Sequence, residues 1–262
     1  MSSNLTLNQD GSVCELTLAG GWLDNLLGPT FARELEAACE QIGANNSCRA
    51  VLLSADGDAF SRGWNWQTLA AASEGGSLLE AARACGILED PFGCLQELPR
   101  PVVCAINGDA TGAGLELALA CDMRIAAEGA RLGLPEVQMG MLPLSGGIQR
   151  LARLAGRGKA LEMVLTGEPI SAEEALACGL VSRVAPRERL QDDARSICSR
   201  IAERGPLAVS YAKEAVTRGT EMPLEQALRY ETDLTIILQT TEDRAEGVRA
   251  FLEKRKPEFK GK

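Results

Sequence analysis

Histidine is absent from the 262-residue chain. Its absence excludes Ser-His-Asp and Cys-His nucleophile systems, and it excludes every zinc site that needs an imidazole ligand. Any proton transfer near neutral pH must therefore fall to carboxylates, cysteine, lysine, tyrosine or bound water.

Long apolar runs and cysteine pairs of C-x-x-C spacing are also missing. Because no run reaches 18 apolar residues, no transmembrane helix is expected. The first residues, MSSNLTLNQDGS, lack a basic start and an apolar centre, so neither a signal peptide nor a transit peptide is expected. The nine cysteines are odd in number. We interpret them as free, small buried hydrophobic residues in a reducing cytoplasm, which predicts a cytoplasmic protein.

Positive charge is scarce: 27 Lys and Arg residues face 36 Asp and Glu residues, for a net charge of −9. Such a surface repels nucleic acid and anionic membranes, so neither is an expected partner. A phosphate-bearing ligand would need a local basic cluster. The length suits one large domain, or one domain with a smaller appendage.

Strand patterns and helix patterns alternate through about residue 185, which predicts an α/β core with crossover connections. The predicted strands are 12–18, 49–54, 101–107 and 122–127, and the predicted helices are 30–42, 77–98, 113–121 and 171–178. The last helix is predicted to start with a capping box, Ser171 to Glu174. From about residue 188 the pattern is helical only, with Pro206 and Pro223 at helix starts. Leu224, Leu228, Leu234, Ile237 and Leu238 form a long apolar face, which indicates packing against the core or another subunit.

Two glycine-containing segments each follow a predicted strand and precede a helix: DAFSRGWNW (58–66) and NGDATGAGLELALACD (107–122). Backbone N–H groups at such turns are available to an anion. Two donors from separate turns would form an oxyanion hole. The alternative is a pair of tightly packed turns in which glycine allows close approach.

Two carboxylates lie near these turns. Glu116 interrupts the apolar run LELALA, and Glu136 follows Pro135 in LGLPEVQMG. Taken singly, they are compatible with a helix-start charge and a solvated loop side chain. Placed together beside one apolar pocket, they would differ in pKa and provide an acid and a base without histidine.

Five segments in order resemble the enoyl-CoA hydratase/isomerase (crotonase) family, from about residue 12 to 261. They are AFSRGW, GDATGAGLELALACDMRIAAEGARLGLPEV, MGMLPLSGGIQRLARLAG, LTGEPISAEEALACGLVSRVAP and EDRAEGVRAFLEKRKPEFKGK. The resemblance implies an α/β crotonase-like spiral of ββα repeats over residues 1–200, with a C-terminal helical oligomerisation region at 201–262. It also implies a homotrimer or homohexamer, an acyl-CoA thioester substrate, a place in fatty acid metabolism, and no metal or cofactor beyond the coenzyme A of the substrate.

By position, the resemblance implies oxyanion donors at the backbone N–H groups of Trp64 and Ala113, with Glu116 and Glu136 as acid–base groups. Ser145 stands where a family dehalogenase has an aspartate nucleophile. Because both glutamates are present, hydration of a 2-enoyl-CoA is the expected reaction, with Glu116 activating water and Glu136 donating a proton to carbon. The expected substrate-binding residues are Arg62, Trp64, Asn65, Trp66, Gln67, Ala113 and Lys254; Arg255 and Lys256 are further candidates for the coenzyme A phosphates.

The chain departs from the family pattern at three places. Ala113 replaces a usual glycine, Trp64 replaces a small residue, and GGWLDNLLG only loosely matches an Asn-Ala-Leu motif near Asn25 and Leu26. The indoles of Trp64 and Trp66 either pack in the core or shape the acyl pocket. The remaining alternatives are an enoyl-CoA isomerase or other crotonase-family lyase, and a non-catalytic acyl-CoA-binding or RNA-binding relative; the acidic charge disfavours RNA.

Overall fold

Nine strands build two sheets in the computed structural model, which describes residues 5–19, 24–72 and 77–262. In chain order the strands are β1 (Leu5–Asp10), β2 (Val13–Leu18), β3 (Ala50–Ala55), β4 (Val102–Ile106), β5 (Ala110–Thr111), β6 (Met123–Ala127), β7 (Arg131–Gly133), β8 (Ile170–Ser171) and β9 (Arg183–Ala185). The larger sheet has the order β1-β2-β3-β4-β6-β9, and the smaller sheet has the order β5-β7-β8.

The helices connect these strands and then continue alone to the C-terminus. They are α1 (Phe31–Ala44), α2 (Trp66–Ala72), α3 (Leu78–Ala84), α4 (Gly93–Glu97), α5 (Ala113–Leu119), α6 (Gly147–Thr166), α7 (Ala172–Ala177), α8 (Arg187–Ala202), α9 (Pro206–Gly219), α10 (Leu224–Gln239) and α11 (Glu242–Glu253). A single 3₁₀ turn, Glu136–Met139, precedes α6.

Repeats of two strands and one helix generate a spiral. In β4–β5–α5 and β6–β7–α6, the first strand joins the larger sheet and the second joins the smaller sheet. Neighbours β2, β3, β4, β6 and β9 are all parallel, so each needs a crossover connection. The predicted ββα spiral is thereby confirmed.

The sequence predictions of helices 30–42, 113–121 and 171–178 are confirmed as α1, α5 and α7. At α7 the capping box is present, since Ser171 Oγ accepts from Glu174 N at 3.2 Å and Glu174 Oε2 accepts from Ser171 N at 2.9 Å. The prediction of one mostly helical segment at 77–98 is wrong. Gly86 and Asp90 have positive φ and Pro91 follows, so the segment divides into α3 and α4.

Alternating side chains of the central strands pack against two separate cores. Leu52 of β3 faces the layer formed by α8, whereas Leu53 faces the larger core that lies beneath the two glycine-containing turns. Strands buried on both faces explain why 49–54 and 101–107 are continuous apolar runs. All nine cysteines are free, and seven are buried, as predicted.

The C-terminal helices leave much apolar surface uncovered. On α10, Leu234 is buried, but Leu224 is 74% exposed and Leu228 is 54% exposed. Helix α10 packs chiefly on α9. Within the described ranges, no helix combines the length and apolar character that crossing a membrane requires.

Candidate active site

The two glycine-containing turns lie against each other at the ends of β3 and β4. Phe60 N and Ser61 N donate to Asp109 O at 3.0 and 3.2 Å, and Thr111 N donates to Ser61 O at 3.0 Å. Glycine allows this approach, because a Cβ on Gly114 would lie 2.1 Å from Ser61 O. The two segments that the sequence places 49 residues apart, counted from 58 to 107, therefore form one unit.

The N–H groups of Trp64 and Ala113 have no hydrogen-bond partner among the residues that the structure describes. Leu27 N donates to Gly63 O and Asn65 N donates to Leu27 O, each at 2.8 Å. Since alternate backbone groups of an extended segment point to opposite sides, the Trp64 N–H points away from Leu27. Ala113 is the first residue of α5, where an N–H has no intrahelical acceptor.

These two donors are close together. A Cβ built on Gly63, which has φ +94°, would lie 3.0 Å from Ala113 N, so a side chain there would crowd the space beside that donor. The methyl group of Ala113 is buried in the core and does not prevent this approach. Two free donors at adjacent turns, one at a helix N-terminus, are suited to stabilising a developing negative charge.

Glu116 is buried in the first turn of α5, and its carboxylate is held at one oxygen. Glu116 Oε1 accepts hydrogen bonds from Ser145 N and Gly147 N, both at 2.8 Å. Burial raises the pKa of Glu116, and these two N–H groups oppose the rise. A Cβ at Gly147 would lie 2.6 Å from Glu116 Cγ, so the loop can approach the carboxylate only with glycine at this position.

Glu136 is equally buried but is held much less. Its Oε2 is buried without a hydrogen-bond partner among the described residues, and its Oε1 lies against Gly112, where a Cβ would approach to 2.8 Å. Burial is the largest cause of a pKa raised to about 7, its own backbone N–H opposes the shift, and the charge of Glu116 adds to it. At neutral pH this side chain can therefore hold or release a proton.

Beside the glutamates, Trp64 contributes an indole that is 4% exposed. The ring stacks on Phe92 with centroids 5.8 Å apart and planes 11° apart, and it contacts Phe31 edge to face at 6.4 Å. Trp64 Nε1 donates to Ser145 Oγ at 3.3 Å. The indole thus extends from one oxyanion donor to the loop that holds Glu116.

Arg150 supports that same loop from behind. Its guanidinium donates to both carboxylate oxygens of Asp90, at 2.9 and 2.7 Å, and to Ser145 O at 3.1 Å. Its charge also opposes the raised pKa of Glu116. Because Asp90 lies between α3 and α4, this ion pair connects the segment carrying Phe92 to the loop before α6.

The predicted substrate-binding residues fall into different environments. Arg62 pairs with Asp24 and Asp109 at 3.2 and 3.3 Å, so its charge is already matched. Asn65 Oδ1 accepts from Thr68 N at 3.1 Å and caps α2. In that helix Gln67 is exposed, and Trp66 is half-buried against the core.

The basic residues expected to bind phosphate at the C-terminus also differ in whether their charges are already paired. Arg255 is paired with Glu246 and Glu253, whereas the part of the chain that the structure describes records no ion pair for Lys254 or Lys256. Lys254 has φ +53° and ends α11. The lysines are therefore better placed than Arg255 to meet a phosphate.

The loosely matching segment GGWLDNLLG is only partly described, since residues 20–23 lie outside the described ranges. Asn25 is buried with φ +45°, and its Nδ2 donates to Asp56 O at 2.6 Å and to Ala59 O at 2.8 Å. Ser61 Oγ donates to Asn25 O at 2.8 Å. The role of Asn25 is thus to hold the first turn in place.

Sequence reasoning missed Phe31, Phe92, Asp90 and Arg150, which surround the site. Arg150 lies in the family-like segment MGMLPLSGGIQRLARLAG but was not singled out there, and the other three lie outside the five family-like segments. Only Asp90 carries a local signal, since Asp before Pro is a common turn start. The structure also contains no cluster, within its described residues, of three side chains able to bind a metal ion.

The free N–H pair, the two buried glutamates and the ββα spiral are the features expected from the resemblance to the enoyl-CoA hydratase/isomerase family. The sequence model described as enoyl-CoA hydratase/isomerase matches residues 8–262, and the chain belongs to this family. It is an enzyme family of the crotonase fold.

Individual relatives are similar over their whole lengths. The chain is 37% identical to 2,3-dehydroadipyl-CoA hydratase of Escherichia coli K12, over 99% of this chain and 100% of that protein. It is 38% identical to (E)-benzylidenesuccinyl-CoA hydratase of Thauera aromatica, over 98% and 99%. A crystal structure of enoyl-CoA hydratase from Bacillus anthracis superposes with a TM-score of 0.93 at 37% identity, covering 99% of this chain and 100% of that one.

Proposed function

We propose that the protein is an enoyl-CoA hydratase, which adds water across the 2,3 double bond of an acyl-CoA thioester. The observation that carries the proposal is the placement of two buried glutamates beside two unpaired N–H donors. Relatives named as hydratases at similar identity support it. Because these relatives carry names with different acyl groups, their names do not supply the acyl group for this chain.

The oxyanion donors act first in the proposed mechanism. The thioester carbonyl oxygen accepts hydrogen bonds from the N–H groups of Trp64 and Ala113. These bonds strengthen as negative charge develops on that oxygen in the enolate, so they lower the barrier rather than merely bind the substrate. Each such donor contributes roughly 3–4 kcal/mol in comparable sites.

Each of the two glutamates then carries out one proton transfer. Glu116, whose Oε1 is held by hydrogen bonds from two backbone N–H groups, takes a proton from water as the water oxygen bonds to C3. Glu136, whose pKa is raised to about 7, gives its proton to C2 as the enolate collapses. One water is added, and proton exchange between the two carboxyl groups restores the starting state. Since the pair is electrostatically coupled, the titration belongs to both groups.

The proposal extends to the substrate, the location and the assembly of the protein. We propose an acyl-CoA substrate, no cofactor other than its coenzyme A, and a cytoplasmic location. Assembly into a homotrimer or homohexamer is supported by the uncovered apolar side chains of α10 and α11, among them Phe251, which is 82% exposed. Burial of such residues is a strong drive to association.

The test is a spectrophotometric assay of conjugated enoyl-thioester absorbance, with crotonyl-CoA and longer or aromatic 2-enoyl-CoA esters. Glu116→Gln and Glu136→Gln should each lower kcat by about 10²–10⁴-fold, the usual contribution of a general acid or base. The matched control is Glu168→Gln, an exposed glutamate before β8, which should retain full activity. Full activity in both site variants would refute the assignment.

The second candidate function is that of an enoyl-CoA isomerase. It is supported by the difference between the glutamates, since Glu116 is held by two N–H groups whereas one oxygen of Glu136 has no described partner. A side chain such as Glu136, with an unpartnered oxygen, could shuttle one proton between two carbons of the substrate alone. Isomerase activity abolished by Glu136→Gln but retained by Glu116→Gln would identify this reaction. Binding of acyl-CoA esters without turnover would instead indicate a non-catalytic relative.

A further inference from the structure

The indole of Trp64 lies between one of the two free N–H donors and the loop that holds Glu116. Its backbone N–H is one oxyanion donor, and its Nε1 donates to Ser145 Oγ at 3.3 Å. Ser145 N, in turn, donates to the carboxylate of Glu116 at 2.8 Å. The ring therefore spans from the proposed donor to the thioester oxygen as far as the loop that holds the carboxylate proposed to act at C3, so an acyl chain bound between these two groups would pass beside it.

This indole is fixed rather than free to move aside. Phe92 covers one face with a centroid separation of 5.8 Å, Phe31 contacts it edge to face, and the hydrogen bond to Ser145 holds the far end. A substrate ring inserted between Trp64 and Phe92 would need about 7 Å between their planes, two stacking distances, and the rings already touch. Movement of the indole would break all three contacts.

We propose that the Trp64 side chain forms a wall of the acyl pocket and restricts the enzyme to short 2-enoyl-CoA esters. The inference rests on the proposed function for its reaction, but the size limit applies equally to binding. The indole packs in the core, and in this proposal it also bounds the substrate. Phe92 and Ser145 act as positioning residues for the ring.

Substitution of Trp64 can test the wall without removing the oxyanion donor, because the donor is a backbone N–H that every non-proline residue retains. Trp64→Ala removes the ring and opens the pocket. Trp64→Phe is the matched control, since it keeps an aromatic ring against Phe92 and loses the second ring of the indole and the bond to Ser145. The readout is the ratio of kcat/KM for a C8 ester to kcat/KM for crotonyl-CoA.

The expected result follows from the gain per buried methylene, which is roughly fourfold in affinity. The wild-type protein should gain nothing from four added methylenes, so its C8/C4 ratio should lie at or below one. Trp64→Ala should raise that ratio by at least about tenfold, and Trp64→Phe should change it by less than about threefold. A wild-type preference for C8, or an equal loss for both esters in Trp64→Ala, would overturn the proposal.

Binding of saturated esters separates this inference from the proposed function. Butyryl-CoA and octanoyl-CoA cannot be hydrated, so their dissociation constants report the pocket alone. If no ester is hydrated but the wild-type protein binds butyryl-CoA at least as tightly as octanoyl-CoA, the hydratase proposal fails and the wall stands. Octanoyl-CoA bound much more tightly by the wild-type protein would refute the wall, even if Trp64→Ala does not fold.

Discussion

Replacement of Glu136 by glutamine should change how the stability of the protein depends on pH. Glu136 is 5% exposed, and one carboxylate oxygen has no described partner. Its pKa is raised from an ordinary value of 4.5 to about 7. Between these two values, the folded protein binds more protons at this position than the unfolded chain does.

The sign and size of the effect follow from that difference. The stabilisation due to the bound proton is fully present below pH 4.5 and is lost as pH rises through 7, so the ionised carboxylate destabilises the fold at pH 8. A difference of about 2.5 pH units corresponds to roughly 3 kcal/mol, of which about 2.5 kcal/mol falls between pH 5 and pH 8. Because Glu136 is buried, solvent screening does not reduce this value greatly.

The assay is urea unfolding of wild type and Glu136→Gln at pH 5, 6, 7 and 8, at one protein concentration. The free energy of unfolding of the variant, relative to wild type, should rise by roughly 2–3 kcal/mol from pH 5 to pH 8. A glutamine amide without a partner would add a constant offset, which does not affect the slope. Glu168→Gln, at an exposed glutamate, is measured in parallel as the matched substitution. A flat difference for Glu136→Gln would refute the raised pKa and the role of this residue as the acid.

Three further predictions concern the loop that holds Glu116 and the C-terminal surface. Gly147→Ala should displace Glu116, because the new Cβ would lie 2.6 Å from Glu116 Cγ. Urea unfolding should show about 1–3 kcal/mol of destabilisation, and the hydration assay should show a fall in kcat. A wild-type kcat would contradict this prediction. Arg150→Gln should raise the pKa of Glu116 further, because the charge of Arg150 opposes the rise, and the acidic limb of the kcat/KM profile should move to higher pH. Arg150→Lys retains the positive charge and should return that limb part of the way toward its wild-type position. An unmoved limb in Arg150→Gln would exclude this electrostatic role. Leu228→Glu, on the exposed face of α10, should dissociate the proposed trimer or hexamer into smaller species. Light scattering after gel filtration measures the mass, and an unchanged mass would place the interface elsewhere.

Much of this protein was predictable because the relevant signals are local. Apolar runs with period two or continuous burial identified β2, β3, β4 and β6, and the Ser171–Glu174 capping box identified the start of α7. These patterns depend only on neighbours along the chain. The ordered motifs were specific enough to indicate the family, and both glutamates and both donor positions followed from them.

The short elements were not predictable in this way. Strands β5 and β8 have two residues each, which is too short for any periodicity, and they exist because the smaller sheet supplies their hydrogen-bond partners. The break at Asp90 was missed because helical spacing continues through the segment, and the ion pair with Arg150, 60 positions away, favours the turn.

By itself, the sequence determined which chemistry is available: no histidine, two glutamates near glycine-containing turns, and an alternation of strands and helices. Only the tertiary structure decided how those groups differ. Glu116 and Glu136 are the same residue type, but the Ser145 and Gly147 N–H groups hold the Glu116 carboxylate, whereas Oε2 of Glu136 has no partner among the described residues, and this difference supports the separate tasks proposed for them. Likewise, Trp64 meets Phe31 and Phe92 only through long-range packing, because contacts between distant segments carry no signature in local spacing.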